Sequence, residues 1–192
     1  VEQLIIATNS NDVLHRVMTT QTYARQDLQH TLSPSMDISI SSNFERLLFD
    51  LHDRDGALIR KMMEKLNTES ISFSDKVATR AREIFDSQRV NDQQTCEQIA
   101  ETYDQTEYLL DPHSAIGVKA AHDCRRNSEI PMITLATAHP AKFPEAILKA
   151  GDIPVPELPH NMSDLFNRAE RYQVIANDLT AVHQFMVDNL SA

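Results

Sequence analysis

Between residues 42 and 107 the apolar side chains recur almost only at helical spacing. On either side of that block, short strand-like apolar runs alternate with helices. A helix must bury a stripe and a strand must bury a face, so this pattern limits the chain to an α/β frame that carries a helical insertion. Residues 4–7 read as a buried strand, and helix follows with Val13, Leu14, Val17 and Met18 on one face. Residues 131–136 read as a second strand, followed by helix from Phe143 and by Gly151 as its C-terminal stop. Strands separated by helices imply parallel pairing through crossover connections. The expected organisation is α/β, with an incomplete parallel or mixed sheet, crossover helices and an inserted, mainly helical subdomain. Its boundaries are 1–41 for α/β, 42–107 for the helical insertion and 108–192 for α/β.

Within the block, Ser42 and Glu45 have the spacing of a capping box, and Phe44, Leu47, Leu48 and Leu51 share a face. Residues 53–56, DRDG, break that helix. A second carries Leu58, Ile59, Met62, Met63 and Leu66. Ser74 caps a third, with Val77, Ala81, Ile84 and Phe85 inward. Asn91 or Asp92 caps a fourth, with Ile99 and Tyr103 inward. Beyond the block, Asp111-Pro112 supplies an N-cap and an N1 proline, and Ile116, Ala120 and Ala121 form the packing face. The proline-rich stretch 152–160 is a connector. A short helix is expected at residues 163–169, a strand at 172–176, and a final helix capped by Asn177 with Leu179, Val182, Phe185 and Met186 inward.

The charge and the glycines narrow the chemistry. With a net charge of −10 and a pI near 5.2, the chain lacks the basic surface that phosphate neutralisation on nucleic acid requires. No apolar stretch approaches transmembrane length. Cys96 and Cys124 are isolated, as in a reducing compartment, and cytoplasm is the expected location. Backbone cradles for phosphate need clustered glycines, and the chain has only Gly56, Gly117 and Gly151, far apart. A phosphorylated cofactor would therefore find its cradle outside this chain. Together with a first residue that is valine, this suggests a fragment of a larger protein.

In parallel sheets ligands bind beyond the carboxyl ends of strands. The first strand ends in residues 8–12, TNSND, and the second in residues 137–142, TAHPAK. Parallel strands would bring both clusters to one rim. Each residue also has an ordinary reading: helix capping for Asn9, Asn11 and Asp12, strand propensity for Thr137, a satisfied imidazole for His139. Lys142 is less easily dismissed, because a cation at a helix start opposes the helix dipole and invites an anion. His113, His122, Asp123 and Cys124 suggest a metal only weakly. Three of them are consecutive on a helix and cannot share one ion, so no metal site is expected. Ser33 and Ser35 lack the strained turn of a serine nucleophile.

The stretches ATNSND (7–12), TLSPSMDI (31–38), SSNFERL (41–47), YLLDPHSAIG (108–117) and LATAHPAKF (135–143), in this order and spacing, resemble the C-terminal part of threonine synthases. The resemblance implies a pyridoxal-phosphate enzyme of fold type II, like the tryptophan synthase β-subunit. It implies conversion of O-phospho-L-homoserine and water to L-threonine and phosphate. It also implies that the lysine bonding the cofactor and the glycine-rich phosphate loop lie in the preceding part of the polypeptide, which then becomes this chain's partner. None of Lys61, Lys65, Lys76, Lys119, Lys142 and Lys149 matches that lysine, so no catalytic residue is assigned here, and the chain alone is expected to be inactive and not to hold pyridoxal 5'-phosphate stably. By the same resemblance Thr137 pairs with the pyridine nitrogen of the cofactor and Asn9 lies beside it. Asn11, Asn43, Arg46, His139 and Lys142 are candidates for substrate carboxylate or phosphate. For Arg46 the plain alternative is an ion pair with Asp50 one turn on. Two other readings stay open at this level: an acidic helical module that binds a protein, and a different lyase of the same cofactor and fold type.

Overall fold

A computed structural model describes residues 1–190 of the chain. The order of elements is β1 (Leu4–Thr8), α1 (Val13–Thr20), β2 (Thr22–Tyr23), α2 (Phe44–Leu51), α3 (Gly56–Lys65), β3 (Ile71–Ser72), α4 (Asp75–Ile84), β4 (Phe85–Arg89), α5 (Asp92–Thr106), α6 (Pro112–Cys124), α7 (Pro144–Ala150) and α8 (Leu179–Leu190). The chain divides into two units. The first is Val1–Pro156 and the second begins at Glu157, within the proline-rich connector.

In the first unit β1 pairs in parallel with β4, from Leu4 opposite Phe85 to Thr8 opposite Arg89. A short antiparallel pair joins β2 to β3. Helices α1 and α6 both pack on the β1–β4 pair. One apolar core gathers α1 to α4, with Val13, Val17, Leu48 and Ile59 among its members. Its aromatics meet edge to face, Tyr23 with Phe44 at 5.2 Å and Phe44 with Phe73 at 6.3 Å. A second core joins Leu32, Ile99, Leu110, Ala115, Ala146 and Ile147, from α5, α6, α7 and the segments beside them.

Several ends form as the local sequence dictates. Asn91 and Gln94 form a reciprocal capping box at α5. Ser74 caps α4 through the Val77 amide, and Asp55 caps α3 through Leu58. The break before α3 places Asp53 and Arg54 at φ 56° and 65°. Gly151 ends α7 at φ 148° and ψ −160°, with open space where a Cβ would sit. Alanine there meets no clash but a forbidden backbone conformation. Gly151→Ala should therefore cost about 1–2 kcal/mol in urea unfolding.

Other expectations are corrected. The mainly helical stretch 42–107 also holds strands β3 and β4: α4 stops at Ile84, and Phe85, expected inward on that helix, opens strand β4. Ser42 and Glu45 form no capping box, because Asn43 occupies the cap position of α2 and makes no side-chain cap bond. Residues 131–136 belong to no sheet, and Ile133 and Leu135 are 83% and 77% exposed. Among the described residues no strand offers them an edge, and without a hydrogen-bonded neighbour an extended run is not a strand.

In the second unit the expected helix at 163–169 reduces to single turns at His160–Met162 and Leu165–Asn167. The expected strand at 172–176 carries no regular structure. Asp178, not Asn177, caps α8 through the Ala181 amide at 2.9 Å. None of Leu179, Val182, Phe185 and Met186 is buried. The helical spacing is real, but α8 has no buried residue.

Candidate active site

The chain leaves β1 at Asn9, whose side chain is 1% exposed. Its Nδ2 faces Asp37 Oδ1 at 2.7 Å, Thr31 Oγ1 at 2.9 Å and Ser33 Oγ at 3.0 Å. Its Oδ1 accepts the Asn11 amide at 2.8 Å. Asn11 then clasps residue 29 from both sides: its Nδ2 donates to the Gln29 carbonyl and its Oδ1 accepts the Gln29 amide, each at 2.8 Å. Asn11 Nδ2 also reaches Asp37 Oδ1 at 2.8 Å. The capping role expected for these amides is not what they do. Asp12 stands at the cap position of α1 without a cap bond and pairs with Arg16 at 2.9 Å. The two asparagines instead fold the 29–37 loop onto the end of β1.

That loop is also pinned from its far side. The Leu32 amide donates to the Asp92 carboxylate at 3.2 Å, at the start of α5. The Ser35 amide donates to His113 Nε2 at 3.1 Å. An acceptor at Nε2 fixes the imidazole tautomer with its hydrogen on Nδ1. That hydrogen goes to Asp111 Oδ1 at 2.9 Å. Asp111, 1% exposed, caps α6 through the amides of His113 and Ser114 and takes the Ser114 hydroxyl on Oδ2. Burial pushes the Asp111 carboxyl up, but the hydrogen bonds from His113 and Ser114 outweigh it and hold the group below the ordinary carboxylate range. It is an anion at neutral pH.

Ser114 reaches the third segment of the rim. Its Oγ accepts the Thr137 amide at 3.1 Å and lies 3.5 Å from Thr137 Oγ1. Thr137 is exposed. Two residues on, His139 Nδ1 accepts the Ala141 amide at 3.2 Å, which caps the turn Pro140–Lys142 and leaves Nε2 as the protonated, exposed nitrogen. The Lys142 ammonium stands 5.7 Å from the Phe143 ring centroid, and Phe143 packs on His113 at 4.6 Å.

One connected polar rim therefore runs from Asn9 through the 31–37 loop, His113, Asp111 and Ser114 to Thr137, with His139 and Lys142 beside its end. Asn43 and Arg46 are elsewhere. Arg46 lines an open groove of about 780 Å³ between α2 and α3, with Glu45 and Arg60 among its neighbours. Among the described residues no hydrogen bond or ion pair joins Asn43 or Arg46 to the rim. The ion pair of Arg46 with Asp50 is absent too, because Asp50 pairs with Arg54 at 3.0 Å. The sequence reading missed Asp37, His113, Ser114 and Thr31 as members of the site. A signal existed at DPHS (111–114): three hydrogen-bonding side chains on the first turn of a helix with an apolar packing face.

Comparison with known proteins shows what the chain is similar to. Residues 114–186 match the family model described as "Threonine synthase, C-terminal". The chain is 52% identical to the threonine synthase of Pseudomonas aeruginosa over 187 residues, which is 97% of this chain and 40% of that protein. It is 39% identical to that of Saccharomyces cerevisiae over 168 residues, 78% of this chain and 33% of the relative. The crystal structure of threonine synthase from Brucella melitensis with pyridoxal phosphate bound superposes with a TM-score of 0.89 at 43% identity, covering 100% of this chain and 41% of that one. The yeast enzyme superposes with a TM-score of 0.84 at 32% identity, over 99% of this chain and 42% of its own. The chain thus spans about 40% of the length of the first of these relatives. It corresponds to the C-terminal region of threonine synthases and shares the α/β frame of those enzymes.

Proposed function

We propose that this chain supplies one wall of a pyridoxal-phosphate site that converts O-phospho-L-homoserine and water to L-threonine and phosphate. The observation that carries the reading is the Thr137 hydroxyl: exposed, neutral, and carried on a backbone whose amide donates to Ser114 Oγ, on the same rim that closes the end of β1. Its chemistry fits the ring-nitrogen edge of the cofactor. The phosphate end has no counterpart here, since Gly56 opens α3, Gly117 lies within α6 and Gly151 follows α7. The rest of the polypeptide would bring the phosphate cradle and the cofactor-bonding lysine. Bound in that complete site, the cofactor supplies an electron sink for charge developing beside the substrate amino group.

The residues of this chain do the orienting. Thr137 offers a hydrogen to an aromatic nitrogen without imposing a negative charge on it. Asn9 lies behind it as a buried amide, and contact with the cofactor would exchange one of its internal bonds. Asn11 keeps the loop closed. His139, through its free Nε2 hydrogen, and Lys142, as an exposed cation, are placed to meet a substrate anion. Arg46, with Asn43 beside it, offers a guanidinium from the 42–107 insertion that makes no ion pair among the described residues. We place the protein in the cytoplasm, consistent with two free cysteines; among the described residues no helix is long and apolar enough to cross a membrane.

The test uses the complete polypeptide. Thr137→Val and Arg46→Ala should each lower turnover by roughly ten-fold or more, a loss of about 1.4 kcal/mol of transition-state stabilisation. Unchanged rates in both would remove these assignments. In the same reading, pyridoxal phosphate added to this chain alone should give no bound chromophore and no turnover. A coloured, active complex of the isolated chain would contradict the division of the site.

A further inference from the structure

We infer that Asp111 and Ser114 are positioning residues that hold Thr137 against α6 and leave its hydroxyl hydrogen uncommitted, ready to be given to the cofactor; this rests on the reading of Thr137 above. The argument is a count of hydrogens. Ser114 has one hydroxyl hydrogen, and it is directed to Asp111 Oδ2. The Ser114 oxygen is then an acceptor only, and one lone pair takes the Thr137 amide at 3.1 Å. It can give nothing to Thr137 Oγ1. The contact between the two hydroxyl oxygens, at 3.5 Å, is also too long to hold the threonine hydrogen firmly. That hydrogen is therefore available to a better acceptor on the exposed side, and a ring nitrogen with a free lone pair is one.

A second, separate contact fixes the same segment. A Cβ built on Gly117 would stand 2.8 Å from Thr134 Cγ2. Positions 114 and 117 are one turn apart on a single face of α6, and they meet 137 and 134 respectively. The segment thus runs antiparallel along the helix with two anchors, a hydrogen bond at one and a close packing notch at the other. The remaining arm of Asp111 reaches His113 and, through it, the Ser35 amide. One carboxylate therefore sets the spacing between the Thr137 segment and the loop that packs on Asn9. A merely capping aspartate needs none of this second arm.

The experiment uses the complete enzyme and two readouts besides turnover: affinity for pyridoxal phosphate by titration, and the visible absorbance of the bound cofactor against pH, which reports the surroundings of the ring nitrogen. Ser114→Ala should weaken cofactor affinity by roughly ten-fold. It should also move the absorbance profile in the same direction as Thr137→Val. Ser114→Thr, which keeps the hydroxyl, should restore both. Gly117→Ala keeps every hydrogen-bonding group and presses only on Thr134, so it should move the profile the same way by a smaller amount. It covers the case in which Ser114→Ala does not fold. If Thr137→Val shifts the profile while folded Ser114→Ala and Gly117→Ala both match the wild type, the positioning inference is wrong and the Thr137 reading stands. Failure of threonine to restore a shifted Ser114→Ala profile would also overturn it. If Thr137→Val itself changes neither readout, the underlying reading fails.

Discussion

Asp111→Ala is expected to cost roughly 3–5 kcal/mol of folding stability, because it strands several buried hydrogen-bond donors at once. The parts can be named. The cap of α6 loses its acceptor for two backbone amides, worth about 1–2 kcal/mol. His113 Nδ1 and the Ser114 hydroxyl lose theirs in a dry site, at about 1–3 kcal/mol each before relaxation. Asp111→Asn should cost less, since an amide oxygen can still serve the cap and His113, while its nitrogen cannot accept the Ser114 hydrogen. The pH dependence has a definite sign. The folded carboxyl is held below its ordinary value of 3.8. Its contribution is complete above that value and is lost as pH falls through the lower folded one. Urea unfolding of wild type and Asp111→Ala should therefore differ most at neutral pH and differ less in strong acid, where the part carried by the ionised carboxyl is gone. Equal midpoints at pH 7 would show that the network carries no stability.

What the sequence disclosed depended on how far each interaction reaches. Capping of α5 at Asn91, one of the two residues considered, the DRDG break and the glycine that ends α7 at 151 are decided within a few residues, and all were legible. Strand β4 was not, because Phe85-Asp86-Ser87-Gln88-Arg89 has no alternation of apolar and polar side chains. Its backbone pairing to β1, eighty residues away in sequence, is what makes it a strand. Residues 131–136 erred the other way: they have the side chains of a strand and no strand partner among the described residues. Asn9 and Asn11 looked like local caps because Thr31, Ser33 and Asp37, their true partners, lie 22 to 28 residues on. Thr137 was singled out by resemblance to a family, whereas Ser114, which holds it, needed the folded chain to be seen.

Asn9→Ala is expected to destabilise by about 3 kcal/mol, although alanine fits the space and asparagine gains little from apolar burial. The reason lies in the groups left behind. Asp37 Oδ1 would keep Thr31 Oγ1 at 2.7 Å and Asn11 Nδ2 at 2.8 Å but lose its contact with Asn9. Ser33, fully buried, would lose the amide that faces both its hydroxyl and its carbonyl. The Asn11 amide would lose the Asn9 oxygen that closes the turn after β1. Each unmet buried group costs about 1–3 kcal/mol, less whatever water restores. Because Asn9 and Asp37 share these partners, the double variant Asn9→Ala/Asp37→Ala should fall short of the sum of the single losses by at least ~0.5 kcal/mol. Additive losses in urea unfolding would mean that the two residues act apart, and the loop would then be held to β1 by Asn11 alone. The same cycle bears on function, since a loop released from Asn9 also loses the register in which the Ser35 amide meets His113. Cofactor affinity of the complete enzyme should accordingly drop in Asn9→Ala even though Thr137 is untouched.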